Sequence, residues 1–404
     1  MTSSNPEKSM FSRTRCWTGV IALVAAAAAW GCADTPTQPL NTTAHQFDAV
    51  KFWEVTASTR WNEQAAALLV QRPPATNGQA TASRILTYLS LAQYRAVLAA
   101  EAGEQGSMHP SVSAAVGGAS AAVLSSFFPL DAGAIEAQLD ADLAAPGWPG
   151  EQQENEAAGE AIGRAVGAAV LAQAATDNFA VVPTGSPPVG PGFWVSSGAP
   201  IVRSLHGAVP FFMTSGSQLR PPPPPTFGSP EYLAALAEVR AISDTRTAEQ
   251  LASAVFWNVA VAPFTAGTMN LIADEVIRAH HRTEREAARI LAFANTAAFD
   301  AQIACFDAKF AYWFIRPSQA DPGITLPIGL PNHPSYPSAH SCITSAIMTV
   351  LADAFPSERD RLEGITEQAG LSRVYGGIHY LFDIDAGQDI GRGAAALALG
   401  GALE

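Results

Sequence analysis

The chain has 404 residues, of which 48% are hydrophobic and 15% charged, and its formal net charge is −13. This composition can bury a sizeable core and excludes an intrinsically disordered chain, and the acidic balance argues against a general nucleic-acid binder. Lysine occurs only as Lys8, Lys51 and Lys309, so a positive site in the C-terminal half has to be built deliberately.

Residues 1–32 read as an export signal. Lys8, Arg13 and Arg15 form a positive start, and residues 20–30 form an apolar stretch too short to span a bilayer comfortably. Ala29-Trp30-Gly31-Cys32 resembles a bacterial lipoprotein cleavage box. The alternative is an ordinary secretory signal cleaved near the same place. Both predict export to the periplasm or cell envelope, with membrane attachment only through a lipid on Cys32. Residues 33–46 read as a tether.

Residues 47–180 are predicted to form an N-terminal helical bundle, Ala-rich and amphipathic. The pattern is clearest over 61–71 and 82–101 and continues over 154–177. Residues 181–230 change character, with twelve of the chain's 29 prolines and the run Pro221 to Pro225. This predicts a long irregular connecting segment, either a cover over a site or a structural wrap. Phe193, Trp194, Phe211 and Phe212 say that it packs down. Residues 231–404 form the C-terminal helical half. A helical pattern over 250–280 is broken at Pro263. Thr283-Glu284-Arg285-Glu286 fits a capping box that opens a helix running through Trp313, and 357–360 marks another helix start. Strand signals are scarce, and no apolar stretch after residue 32 reaches the length of a membrane span. The expected fold is all-α: packed helical bundles with a long Pro/Gly-rich insertion.

Outside the signal and the Cys32 box, cysteine is limited to Cys305 and Cys342. Both sit among apolar residues, which leaves a disulfide and a pair of buried thiols equally open.

The polar chemistry lies in three pieces. Lys309 and Arg316 are seven residues apart, which on one helix face lets two long cations converge on one anion; Pro317 then ends the helix. Their neighbours Phe306, Phe310, Tyr312, Trp313 and Phe314 are apolar or aromatic, and charges in such company are paired or bind something. In Pro337-Ser338-Ala339-His340, Ser338 is a natural N-cap, so the backbone N–H groups behind it form an anion site, and His340 in the first turn can move a proton. A capped helix with a surface histidine is the alternative. In Ser372-Arg373-x5-His379-x3-Asp383, the histidine and carboxylate share a face if helical, leaving one imidazole nitrogen as nucleophile or ligand. Arg373 adds a bidentate donor, and Gly376 and Gly377 free the turn between them.

In this order and spacing the three motifs resemble the superfamily of vanadium-dependent haloperoxidases and type 2 phosphatidic acid phosphatases. The resemblance covers residues 309–383. Ala339 departs from it, since the family has glycine there. His333, seven residues before His340, resembles the algal bromoperoxidases. The resemblance implies an oxyanion held by Lys309, Arg316, Arg373, Ser338 and the N–H of Ala339. In the haloperoxidase reading, His379 ligates vanadate, His340 manages protons, His333 tunes halide chemistry, and hydrogen peroxide oxidises a halide. In the phosphatase reading, without a cofactor, His379 attacks the phosphorus of a phosphomonoester and His340 protonates the leaving alcohol. Asp383 orients His379 in both. The long helical scaffold, the lack of membrane spans and His333 favour the haloperoxidase reading. A lipoprotein that only binds an oxyanion is a third reading, which the pair His340 and His379 disfavours.

Overall fold

The computed structural model describes residues 56–75, 77–103, 109–144, 155–181, 186–198, 203–258 and 263–403. The expected signal, the Cys32 box and the tether lie outside these residues.

The long helix α9 (Glu284–Tyr312) organises the remainder. Its N-terminus is the predicted capping box, with Thr283 and Glu286 each accepting from the other's backbone N–H. From Ile290 to Phe310 every residue is buried, on every face, the signature of a central helix. Five helices precede it in the first half: α1 (Ala57–Gln71), α2 (Gly78–Ala102), α3 (Val112–Phe127), α4 (Ala132–Leu143) and α5 (Glu156–Ala174). Then come α6 (Pro230–Thr245), α7 (Ala248–Phe256) and α8 (Phe264–Ala279). After α9 follow the short α10 (Pro317–Ala320), α11 (Ala339–Ala354), α12 (Arg359–Tyr375) and α13 (Leu381–Leu399). Among the described residues there is no strand, only the isolated bridges Pro110 to Asn155 and Phe193 to Phe314. The all-α expectation holds, and no described helix is long and apolar enough to cross a membrane.

Packing follows from small residues. In α5, a Cβ on Gly163 would stand 2.0 Å from the Ala115 carbonyl, so α5 and α3 are in backbone contact. In α13, a Cβ on Gly387 would stand 2.6 Å from the Ser338 carbonyl, which presses α13 onto the start of α11. Helix α9 then packs against α2 on one side and against α11 and α13 on another.

The described parts of the Pro/Gly-rich segment wrap along α9. The backbone N–H groups of Phe211, Phe212 and Met213 donate to the buried Asp300 carboxylate at 2.7, 2.7 and 3.2 Å. Arg220 forms a two-point ion pair with Asp307. Trp194 is buried and stacks on Trp313. Asp300 and Asp307 are therefore the anchors that hold a chain with few regular hydrogen bonds of its own.

Two local expectations are corrected. Helix α9 stops at Tyr312, because Trp313 adopts a left-handed conformation (φ 51°) and donates its N–H to the Lys309 carbonyl. Arg316 thus lies in extended chain, and Pro317 opens α10 instead of closing a helix. His379 also lies outside a helix: α13 starts at Leu381, and Asp383 sits in its first turn.

A buried oxyanion cage as candidate active site

Lys309 is in the last turn of α9 and fully buried. Its Nζ donates to the carbonyls of Pro334 (2.8 Å), Ser335 (2.7 Å) and Pro337. The loop before α11 is thereby drawn over the ammonium. Tyr336-Pro337 in that loop is a cis peptide. Burial lowers the ammonium's pKa to about 8.

Arg316 is fully buried as well. Its Nε and Nη2 donate to the His333 carbonyl at 3.1 and 3.0 Å, and Nη1 to the Ile378 carbonyl at 2.7 Å. The same guanidinium reaches two imidazoles, with Nη2 3.1 Å from His333 Nδ1 and Nη1 3.1 Å from His379 Nε2. A guanidinium has only donors, so His379 Nε2 accepts, and His333 Nδ1 accepts in the tautomer that does not instead donate to the Pro334 carbonyl at 3.2 Å. Burial lowers its pKa to about 10.

His379 completes its bonding through Nδ1, which donates to Asp383 Oδ2 at 2.7 Å. Burial, then the charges of Arg316 and Lys309, push the imidazole well below its ordinary range, so it is neutral with a bare Nε2. Asp383 is fully buried, and its Oδ2 also accepts from Ser335 Oγ at 2.6 Å and the Tyr380 N–H at 3.2 Å. Burial raises this carboxyl to about 6, against the lowering effect of the Ser335 bond.

Arg373, in the last turn of α12, is 1% exposed. It donates through Nη2 to the Ala254 carbonyl at 2.9 Å and through Nε to Ser372 Oγ at 3.0 Å. Burial lowers it to about 9. His340 stands in the first turn of α11 and bonds the backbone of Trp257. Its Nε2 is buried without a hydrogen-bond partner. Burial, then the charge of Arg373, keep this imidazole neutral. His333 is buried edge-on to the Phe306 ring and held neutral by burial and by Lys309. Ser338 caps α11 as expected, its Oγ accepting from the Ser341 N–H and its own N–H donating to the Asp383 carbonyl. Ala339 is the first residue of α11, where backbone N–H groups have no partner inside the helix.

The structure thus joins Lys309, Arg316, His333, Ser338, His379 and Asp383 in one hydrogen-bonded network. His340 stands within electrostatic reach of it, and Arg373 within reach of His340, without a direct side-chain bond to the network among the described residues. Ser335, Tyr380 and the carbonyls of Ala254 and Trp257 escaped the sequence reading. Three act through backbone atoms, which carry no residue signature, and Ser335 is one serine in a proline-rich loop. Cys305 and Cys342 are free, buried thiols in hydrogen-bond contact, not a disulfide, with Cys305 also near the Pro337 carbonyl.

The balance of charge defines what fits. Three buried cations face one buried carboxylate and three neutral imidazoles. A tetrahedral oxyanion such as vanadate or phosphate offsets the excess and gives the cations acceptors better than carbonyls. The partnerless His340 Nε2 and the bare His379 Nε2 fit the same ligand.

Residues 287–401 match the PAP2 superfamily. A non-specific acid phosphatase of Providencia stuartii is 30% identical over 183 residues, 43% of this chain and 71% of that enzyme. The fold is shared with a bacterial vanadium-dependent iodoperoxidase, at a TM-score of 0.72 and 21% identity over 86% of this chain and 96% of that one. A holo-type bacterial vanadium-dependent chloroperoxidase aligns at a TM-score of 0.65 and 16% identity, over 87% and 98% of the two chains. With the buried cage, the matched C-terminal region and this relative in agreement, the chain belongs to the PAP2 superfamily.

Proposed function

We propose that the protein is a vanadium-dependent haloperoxidase-like enzyme that oxidises halide with hydrogen peroxide at a vanadate held through His379. The observation that carries this reading is His333, a third buried imidazole bonded to Arg316. Phosphoryl transfer through a histidine nucleophile uses two imidazoles, one to attack and one to donate a proton. The span of the iodoperoxidase match, 96% of that chain, supports the reading because it takes in the N-terminal helices as well as the motif region.

Bound vanadate would supply a Lewis-acidic centre that activates peroxide towards a nucleophilic halide. Lys309, Arg316 and Arg373 would hold its charge, with Ser338 and the Ala339 N–H at the start of α11. His379 would contribute the Nε2 lone pair, with Asp383 keeping the proton on Nδ1. His340 would take up and return the protons that peroxide exchange requires. The N-terminal charge and apolar pattern supports export, with attachment to the envelope through a lipid on Cys32.

A second reading has its own support. The 30% identity to an acid phosphatase fits a phosphomonoesterase in which His379 attacks phosphorus and His340 protonates the leaving alcohol. Purified protein assayed with and without orthovanadate decides between the two. Vanadate-dependent oxidation of iodide or bromide by peroxide supports the first. Hydrolysis of an aryl phosphate that vanadate inhibits overturns it in favour of the second, and neither activity leaves an oxyanion-binding lipoprotein.

A further inference from the structure

We infer that Ser335 is a positioning residue that ties the His379–Asp383 pair to Lys309 and aims the His379 lone pair. The inference rests on His379 being the group that meets the oxyanion. Ser335 is fully buried and makes three bonds to three parts of the cage. Its N–H donates to the Phe314 carbonyl at 3.0 Å, its carbonyl accepts from Lys309 Nζ at 2.7 Å, and its hydroxyl donates to Asp383 Oδ2 at 2.6 Å.

The Asp383 carboxylate is bonded one-sidedly. Oδ2 receives Ser335 Oγ, His379 Nδ1 and the Tyr380 N–H, while Oδ1 is buried without a partner. Of these donors, the Tyr380 N–H belongs to Asp383's own helix start, and His379 is the group to be oriented. Ser335 is the donor that comes from elsewhere in the chain. Without its hydroxyl the carboxylate can rotate towards sharing its two oxygens, and the imidazole ring follows. Lys309, Arg316 and Arg373 would still hold charge, so the loss falls on the reacting step and spares binding.

The experiment compares the parent, Ser335→Ala, Ser335→Thr, Asp383→Asn and the double variant Ser335→Ala/Asp383→Asn. Proton and nitrogen-15 imidazole spectra of the protein as purified read the bond of the His379 Nδ1 proton to Asp383 directly. The parent and Ser335→Thr should show the same strongly hydrogen-bonded Nδ1–H, and Ser335→Ala an Nδ1–H resonance shifted towards a weaker bond, the tautomer being kept by Arg316 at Nε2. In whichever assay the parent is active, Ser335→Ala should lower kcat by roughly tenfold with KM nearly unchanged. In the Asp383→Asn background the same change should cost no more than about twofold, because the hydroxyl acts through that carboxylate. An unchanged Nδ1–H resonance in Ser335→Ala, a loss confined to KM, or fully additive losses overturn the inference. A parent inactive in both assays overturns the functional reading, while the Nδ1–H measurement still decides the role of Ser335.

Discussion

Arg316 Nη1 lies 3.1 Å from His379 Nε2, the imidazole nitrogen that the bond to Asp383 leaves bare. A permanent donor therefore faces the lone pair that the chemistry needs. In the proposed function, Arg316 gives this hydrogen bond to the oxyanion instead, so that binding and activation of His379 become one event.

Arg316→Lys keeps a charge and loses the planar fork that reaches two imidazoles and three carbonyls at once. Orthovanadate and phosphate affinity should fall by roughly 10- to 100-fold in calorimetric titrations. Parent-like affinity would show that charge alone, without the fork, holds the oxyanion.

His340→Ala removes the imidazole whose Nε2 has no partner. Turnover should fall by roughly 10²- to 10⁴-fold, the range for a lost general acid–base group. Oxyanion affinity should change little, since this imidazole is neutral in the unliganded cage. Equal losses in kcat and in affinity would assign His340 to binding.

The Lys309 ammonium loses its proton near pH 8. Below that pH the charge is in place and oxyanion affinity is independent of this group. Above it, binding must take up a proton, so affinity falls by about tenfold per pH unit. The comparison is with Lys309→Arg, whose guanidinium keeps its charge to higher pH than the ammonium; ionisation of Arg373 and of the ligand is common to both proteins. If parent and variant show the same slope between pH 8 and 9.5, Lys309 is not the titrating group.

Gly387→Ala places a methyl group 2.6 Å from the Ser338 carbonyl and 2.8 Å from Ser341 Cβ. Pushing α13 off α11 should cost about 1–3 kcal/mol in urea unfolding. Oxyanion affinity should drop in parallel, because Ser338 and Asp383 are bonded across that contact. A stability loss without any change in affinity would separate the helix packing from the cage.

Asp300→Ala leaves the N–H groups of Phe211, Phe212 and Met213 without their acceptor. The expected loss is about 3 kcal/mol or more, from several abandoned donors. Limited proteolysis should then cut near residues 211–213 in the variant and not in the parent. Equal resistance in both would mean that the wrap is held elsewhere.

Much of the architecture was legible because it is local. The capping box at Thr283, the Ser338 cap and the break near Pro263 are short-range signals, and helices appear where they point. The composition of the 181–230 stretch announced irregular chain, and its aromatic residues announced that it packs. What stayed hidden was where α9 ends. Nothing near Trp313 marks a left-handed residue; the turn is held by tertiary bonds, with Trp194 donating to the Trp313 carbonyl and Ile315 to that of Gly192.

The sequence by itself determined which side chains could build the cage, because the motifs keep residue type and order regardless of conformation. It also determined the all-α class, because apolar periodicity is a local property. Only the tertiary structure decided that Lys309 and Arg316 meet around a turn instead of along a helix face. It alone turned the His379 lone pair towards Arg316 and brought Ser335 to Asp383, 48 residues away in sequence. The physical reason is burial. Three cations and one carboxylate removed from water need hydrogen-bond partners, and those partners are mostly backbone carbonyls that the fold, and not the residue type, brings into place.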